Sequence, residues 1–186
     1  MKFLFTCLIS LLLISCKQNN AHGVFQLKNT ISMMQAHHIK LSINKMSQCI
    51  PDNDTTRVDT AKAAFKLIVY VDSTNCSPCV LNKLYEWNHL IDKTRDNGDK
   101  VNYIFIFETK YDQIEDAHLA AESSGLKNHI YLDTAYVFRA DNKFMPQEAA
   151  FHTILINAKD SILLVGNPKT NKRIRNMFFN IINRHS

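Results

Sequence analysis

No basic run interleaved with aromatics occurs in this sequence, although its Lys and Arg leave a net charge of +5. The positive residues are scattered rather than gathered on one stripe, which argues against nucleic-acid binding. There is no internal repeat and no low-complexity tract, so neither a solenoid nor a compositionally disordered chain is indicated. The apolar run FLFTCLISLLLIS, from Phe3 to Ser15, is thirteen residues long and too short to span a bilayer as a stable helix. A second C-x-x-C is also missing. One such pair supplies two ligands where zinc needs three or four, so no metal site and no cofactor are expected.

What is present suits one domain with a real core. The chain has 186 residues, 46% apolar and 21% charged, ordinary proportions for a globular protein. Residues 1–15 read as a signal peptide: Lys2 gives a positive start and Phe3–Ser15 the apolar core. The run ends in LISC at 13–16, which resembles the bacterial lipobox. That resemblance implies cleavage before Cys16 and lipidation there, with several acyl chains anchoring firmly at about 0.8 kcal/mol per buried CH₂. Residues 16–23 are then a lipidated tether. Lys17, rather than Asp, follows the cysteine and favours the outer membrane over the inner. Of the five cysteines, Cys7 leaves with the signal and Cys16 is lipidated. Cys49, Cys76 and Cys79 remain in a compartment that permits disulfides. Cys49 reads as a buried or loop thiol, with a third redox cysteine as the alternative.

Along the chain, residues 24–60 form an N-terminal extension with one strand. Its helical segment covers 24–37. The strand is HIKLSIN at 38–44, where Ile39, Leu41 and Ile43 alternate with polar neighbours. FKLIVYVDS (65–73) and VNYIFIFE (101–108) are continuous apolar runs that suit strands covered on both faces. Between them, Val80, Leu84, Trp87 and Ile91 predict one helix from Cys79 to about Arg95. A helix over 112–125, a short strand at 129–133 and a short helix or turn within 134–145 follow. FHTILIN and SILLVGN form a hairpin around AKD. Ile174, Phe178, Ile181 and Ile182 line a closing helix, with Lys172, Arg173 and Arg175 on its exposed side. Trp87 and the aromatics of 103–107 are core.

The chemistry lies in DSTNCSPCVLNK at 72–83. The pair follows a buried strand and opens a helix. Unpaired N–H groups there, with the partial positive charge of a helix end, stabilise a thiolate and lower its pKa. Cys76, at the loop end, is the expected attacker and Cys79 the resolving thiol. Pro78 sits in the first turn, where its missing N–H costs little.

YVDSTNCSPC, the FHTILIN strand and VGNP at 165–168 are similar to thioredoxin-like proteins. More closely the chain resembles the small exported thioredoxin-like lipoproteins of Bacteroidetes type, related to the TlpA/ResA-like thiol-disulfide oxidoreductases. The resemblance implies an α/β thioredoxin-like domain over 61–186, a mixed central sheet flanked by helices. It implies Cys76 and Cys79 as the redox pair, with Pro78, Asp72 and His152 as neighbours. Asp72 caps the loop, or assists proton transfer as buried carboxylates do in thioredoxins. Two positions depart from the family pattern. Asn75 stands where Trp usually precedes the first cysteine, and His152 stands before Thr153 where a cis-proline is usual.

The expectation is a thiol-disulfide oxidoreductase of the cell envelope, lipid-anchored at the outer membrane and facing the periplasm. Its partners would be protein thiols or disulfides. Three other uses of the pair compete. A Cu(I) site would add His152 to the two thiolates, but copper chaperones of the Sco type space their cysteines by three. A peroxiredoxin wants Thr where Ser73 stands. A structural disulfide in a binding lipoprotein gains little, because so short a loop yields little closure entropy.

Overall fold

Two apolar runs form the middle of the sheet because neither offers a face that tolerates water. In the computed structural model, which describes residues 23–50, 63–74, 78–96, 98 and 100–184, these runs are β2 (Phe65–Val71) and β3 (Val101–Glu108). They pair in parallel, Phe65 opposite Val101 and Val71 opposite Phe107. Every residue of β3 is buried. β4 (Ile130–Asp133) adds in parallel beyond β3. β5 (Thr153–Asn157) and β6 (Ile162–Val165) form the expected hairpin, with β5 antiparallel to β2. β1 (Ser47–Cys49) pairs antiparallel with β4. The order is β1-β4-β3-β2-β5-β6. This mixed α/β sheet with flanking helices is the thioredoxin-like arrangement anticipated from the sequence.

Strand alternation sorts the sheet into two faces. Leu67, Val69, Tyr103, Phe105, Phe107, Leu132 and Leu155 belong to one core cluster with Leu81, Leu84, Trp87, Ile91, Ala117, Ala121, Phe178 and Ile182. Those partners come from α2 (Pro78–Leu81), a 3₁₀ turn (Leu84–Trp87), α3 (Asn88–Arg95), α4 (Ile114–Glu122) and α6 (Lys172–Arg184). The opposite face carries Ile68, Tyr70, Ile104, Ile106, Ile154 and Ile156. Phe138 of α5 (Val137–Asp141) packs there against Tyr70, ring centroids 4.9 Å apart. Asp133 starts α5 by accepting the Val137 and Phe138 N–H groups at 2.9 and 2.8 Å.

The chain divides into two units, Met1–Ala36 and His37–Ser186. In the first, residues 23–35 are helical (α1). The signal peptide, Cys16 and the tether up to residue 22 lie outside the described residues, as do residues 51–62 and with them the expected boundary at 60/61.

Three expectations need correction. Residues 38–44 are not a strand. His38 makes one isolated bridge to Ser161, and the Ile39 N–H donates to the Asp160 carbonyl at 2.9 Å. Lys40 exchanges two 2.9 Å hydrogen bonds with the Asn142 side chain, and Ile43–Lys45 is a 3₁₀ turn. The stretch therefore runs as a strap from β6, at one sheet edge, to β1 at the other. Ile39 is the buried member of its alternating set, while Leu41 and Ile43 are half-buried.

The single helix expected over 79–95 is broken in the second place. Leu81, Leu84, Trp87 and Leu90 are all buried, and they recur every third residue. A 3₁₀ helix has three residues per turn and keeps such a row on one line, whereas an α-helix would rotate it away. Tertiary burial selects the tighter winding, seen in the Lys83 to Val80 and Glu86 to Lys83 bonds. Third, Arg175 is half-buried rather than free on the exposed side. Its guanidinium donates to the Pro168 carbonyl at 2.7 Å and to the Lys169 carbonyl, which ties the preceding loop to α6.

Candidate functional site

At the carboxyl ends of β2 and β3, the parity of the strands gathers five ionisable or polar side chains. Tyr70 and Glu108 occupy even positions of β2 and β3, on the α5 face. Asp72 follows β2 with the same parity. His152 precedes β5 and joins the same row, because its carbonyl accepts the Tyr70 N–H at 3.0 Å. Arg139 projects from α5. Asp72, Glu108 and His152 are each no more than 3% exposed, so their polar atoms must be satisfied internally.

They are satisfied by one another. Tyr70 Oη donates to Glu108 Oε2, and Arg139 Nε donates to Tyr70 Oη at 3.3 Å. Ser73 Oγ donates to Glu108 Oε1 at 3.0 Å. Asp72 Oδ1 accepts from the Thr74 N–H at 3.0 Å and from Thr74 Oγ1 at 2.5 Å, the loop-capping role expected of it. Asp72 Oδ2 faces Arg139 and His152 Nδ1, each at 3.7 Å, and Arg139 Nε is 3.6 Å from Glu108 Oε2. His152 Nε2 is 3.0 Å from the Pro146 carbonyl. A carbonyl only accepts, so Nε2 carries hydrogen and Nδ1 is the nitrogen turned to Asp72. Burial, reinforced by the Glu108 carboxylate, raises the Tyr70 phenol well above its ordinary pKa. Arg139 is raised too, first by its hydrogen bond to Tyr70 and then by the two carboxylates.

The cluster stands between two pockets. One, of about 220 Å³, is lined by Phe138, Arg139, Met145 and Pro146 together with Tyr70 and His152. The other, of about 280 Å³, is bounded by Asp72, Val80, Leu84, Trp87, His152 and Lys169 among others. It borders α2, where Val80 follows the second cysteine.

The structure thus brings Asp72 and His152 together. Cys76, with Asn75 and Ser77, lies outside the described residues. Pro78 and Cys79 are the first two residues of α2, and their side chains likewise lie outside the description. His152 is more than a polar residue at a strand edge. Its Nε2 is held by the Pro146 carbonyl, while Nδ1 faces Asp72 Oδ2 at 3.7 Å. The sequence reading missed Tyr70, Glu108 and Arg139. For Glu108 a signal existed: a lone acid closing an otherwise apolar strand, level with Asp133 in register.

No protein-family model matches the chain, and no curated protein matches it. Among solved structures, it is similar to a conserved protein of unknown function from Bacteroides fragilis, with 13% identity and a TM-score of 0.45 over 72% of this chain and 96% of that one. A thioredoxin-like protein from Bacteroides caccae has 13% identity and a TM-score of 0.41, over 72% of this chain and 47% of that one. The C-terminal domain of an uncharacterized Bacteroides fragilis protein has the same identity and score, over 72% of this chain and 94% of that domain.

Proposed function

We propose that the protein exchanges thiols and disulfides with protein partners through Cys76 and Cys79, exported and held at a membrane by lipid on Cys16. The observation that supports this reading is the convergence of Asp72 and His152, 3.7 Å apart, at the end of the strand that leads into the C-x-x-C. A resolving thiol must lose its proton to attack, and a buried carboxylate paired with an imidazole is an acceptor suited to that step.

The exchange runs in two displacements. The Cys76 thiolate attacks one sulfur of a partner disulfide, forming a mixed disulfide and expelling a partner thiolate, which takes a proton from solvent. Cys79, deprotonated, attacks the Cys76 sulfur and expels the second partner thiolate. The pair ends oxidised and the partner reduced; the reverse sequence oxidises a partner dithiol. α2 is one turn long, so less dipole accumulates behind the pair than a continuous helix would supply. The remaining thiolate stabilisation then falls to nearby N–H groups and side chains.

Replacing Cys79 with Ser stops the second displacement, so mixed disulfides on Cys76 should accumulate and be identifiable by mass spectrometry. If cells expressing this variant yield none that disappear on adding Cys76→Ser, exchange is not the function. The anchor is tested in the same cells: Cys16→Ala should move the protein out of the membrane fraction, and retention there would refute lipidation.

A further inference from the structure

At the β1 edge of the sheet, β1 and α4 bring together a different set of side chains. Cys49, His118 and Glu122 each offer a ligand atom, and these three atoms lie within 4.8 Å of one another. The arrangement follows from local geometry. His118 and Glu122 are four residues apart on α4, one above the other on one face. Cys49 ends β1, and its Sγ contacts the His118 carbonyl at 3.8 Å. Ser47, two residues earlier and so on the same side of β1, meets His118 Nε2 at 3.1 Å and steadies the ring, as outer partners of metal-binding histidines do. The thiol is buried, the imidazole half-buried and the carboxylate exposed, so the trio opens to solvent on the Glu122 side.

We propose that Cys49, His118 and Glu122 bind a single Zn²⁺, with water as the fourth ligand. The donor set selects the metal. Thiolate, imidazole and carboxylate are together the ligand types zinc takes. Their combined charge of two negatives matches a divalent ion. Cu(I) prefers several soft donors, and only one sulfur is present. Tetrahedral zinc with bonds of about 2.0–2.3 Å holds its ligand atoms about 3.3–3.8 Å apart, so closing the site takes a movement of about 1 Å. On binding, the Cys49 S–H bond breaks, its proton leaves to solvent and a Zn–S bond forms. The ion would clip β1, a three-residue strand, to α4. The site is independent of the redox reading.

The test uses the full chain carrying Cys76→Ser and Cys79→Ser, so that the pair contributes no thiolate. Co²⁺ is the spectroscopic probe. It should produce a thiolate-to-cobalt charge-transfer band that saturates at one equivalent and disappears when Zn²⁺ is added. Cys49→Ser should abolish the band. His118→Ala and Glu122→Gln should each weaken Zn²⁺ affinity at least tenfold. Glu122 is exposed, so Glu122→Gln should melt with the parent without metal and lose most of the upward shift that saturating Zn²⁺ gives the parent. A band that survives Cys49→Ser, no band at all, or unchanged affinity in the α4 variants would overturn the proposal.

Discussion

The two polar clusters of this protein differ in how their charges are settled. At the carboxyl ends of β2 and β3, Asp72, Glu108, Tyr70, Arg139 and His152 interlock, and their charged and polar groups face protein partners. At the β1–α4 edge, Cys49, His118 and Glu122 bring a buried thiol, a half-buried imidazole and an exposed carboxylate within 4.8 Å of one another. The first arrangement is complete within the protein. The second has the geometry of a site that an ion would complete. A buried network rewards closure, because an unmatched charge in low dielectric is costly, whereas the exposed Glu122 keeps its charge solvated at little cost.

Breaking the closed cluster should therefore hurt most. Arg139→Ala removes the cation facing both carboxylates. Losing one partner of a fully buried pair costs about 3–5 kcal/mol. The Arg139 side chain is 43% exposed, so water would offset part of the loss, leaving about 2 kcal/mol in urea unfolding. A loss below about 0.5 kcal/mol would mean that solvent already balances the carboxylates. Tyr70→Phe should cost slightly less, about 1.5 kcal/mol at neutral pH, the low end for one hydrogen bond to a charged group.

Its sharper signature is at alkaline pH. The folded-state phenol pKa is raised, so Tyr70 contributes stability that is fully present below the unfolded value of about 10 and lost as pH rises above it. The variant should lose stability less steeply than the parent in that range; parallel slopes would remove Tyr70 as the cause. The burial-raised Tyr103 and Tyr131 phenols act with the same sign and contribute to the slope that remains. The smallest effect belongs to the open edge. Metal-free Glu122→Gln should unfold as the parent does, and a clear loss there would show that the edge is closed after all.

Much of the architecture was legible in the sequence because burial on both faces leaves an unmistakable trace. The largely apolar runs of β2 and β3 and the β5–β6 hairpin stand where patterning put them. Phe178 and Ile182 close the core from α6 as their spacing implied. Asp72 and His152 could be singled out by their place beside the cysteine pair in the thioredoxin-like resemblance. Their company could not. Tyr70, Glu108 and Arg139 lie 38 and 69 residues apart along the chain, and only strand register and the placing of α5 bring them to one face. The residues from 78 to 95 show the opposite failure. A three-residue recurrence was present in Leu81, Leu84, Trp87 and Leu90, but Val80 and Ile91 suggested an α-helical stripe, and only packing chose between the two periods.

The strap over residues 38–49 bears on how copies of this protein behave toward one another. A sheet's outermost strands expose unpaired N–H and C=O groups that invite another chain to add on. Here one short stretch meets the β6 side through His38 and Ile39 and itself becomes the opposite edge as β1, which is only three residues long. One piece of chain thus meets the sheet just before β6 and supplies its other rim as β1. Loosening it would strip β4 of its outer partner, and self-association by strand addition would then proceed from that side of the sheet.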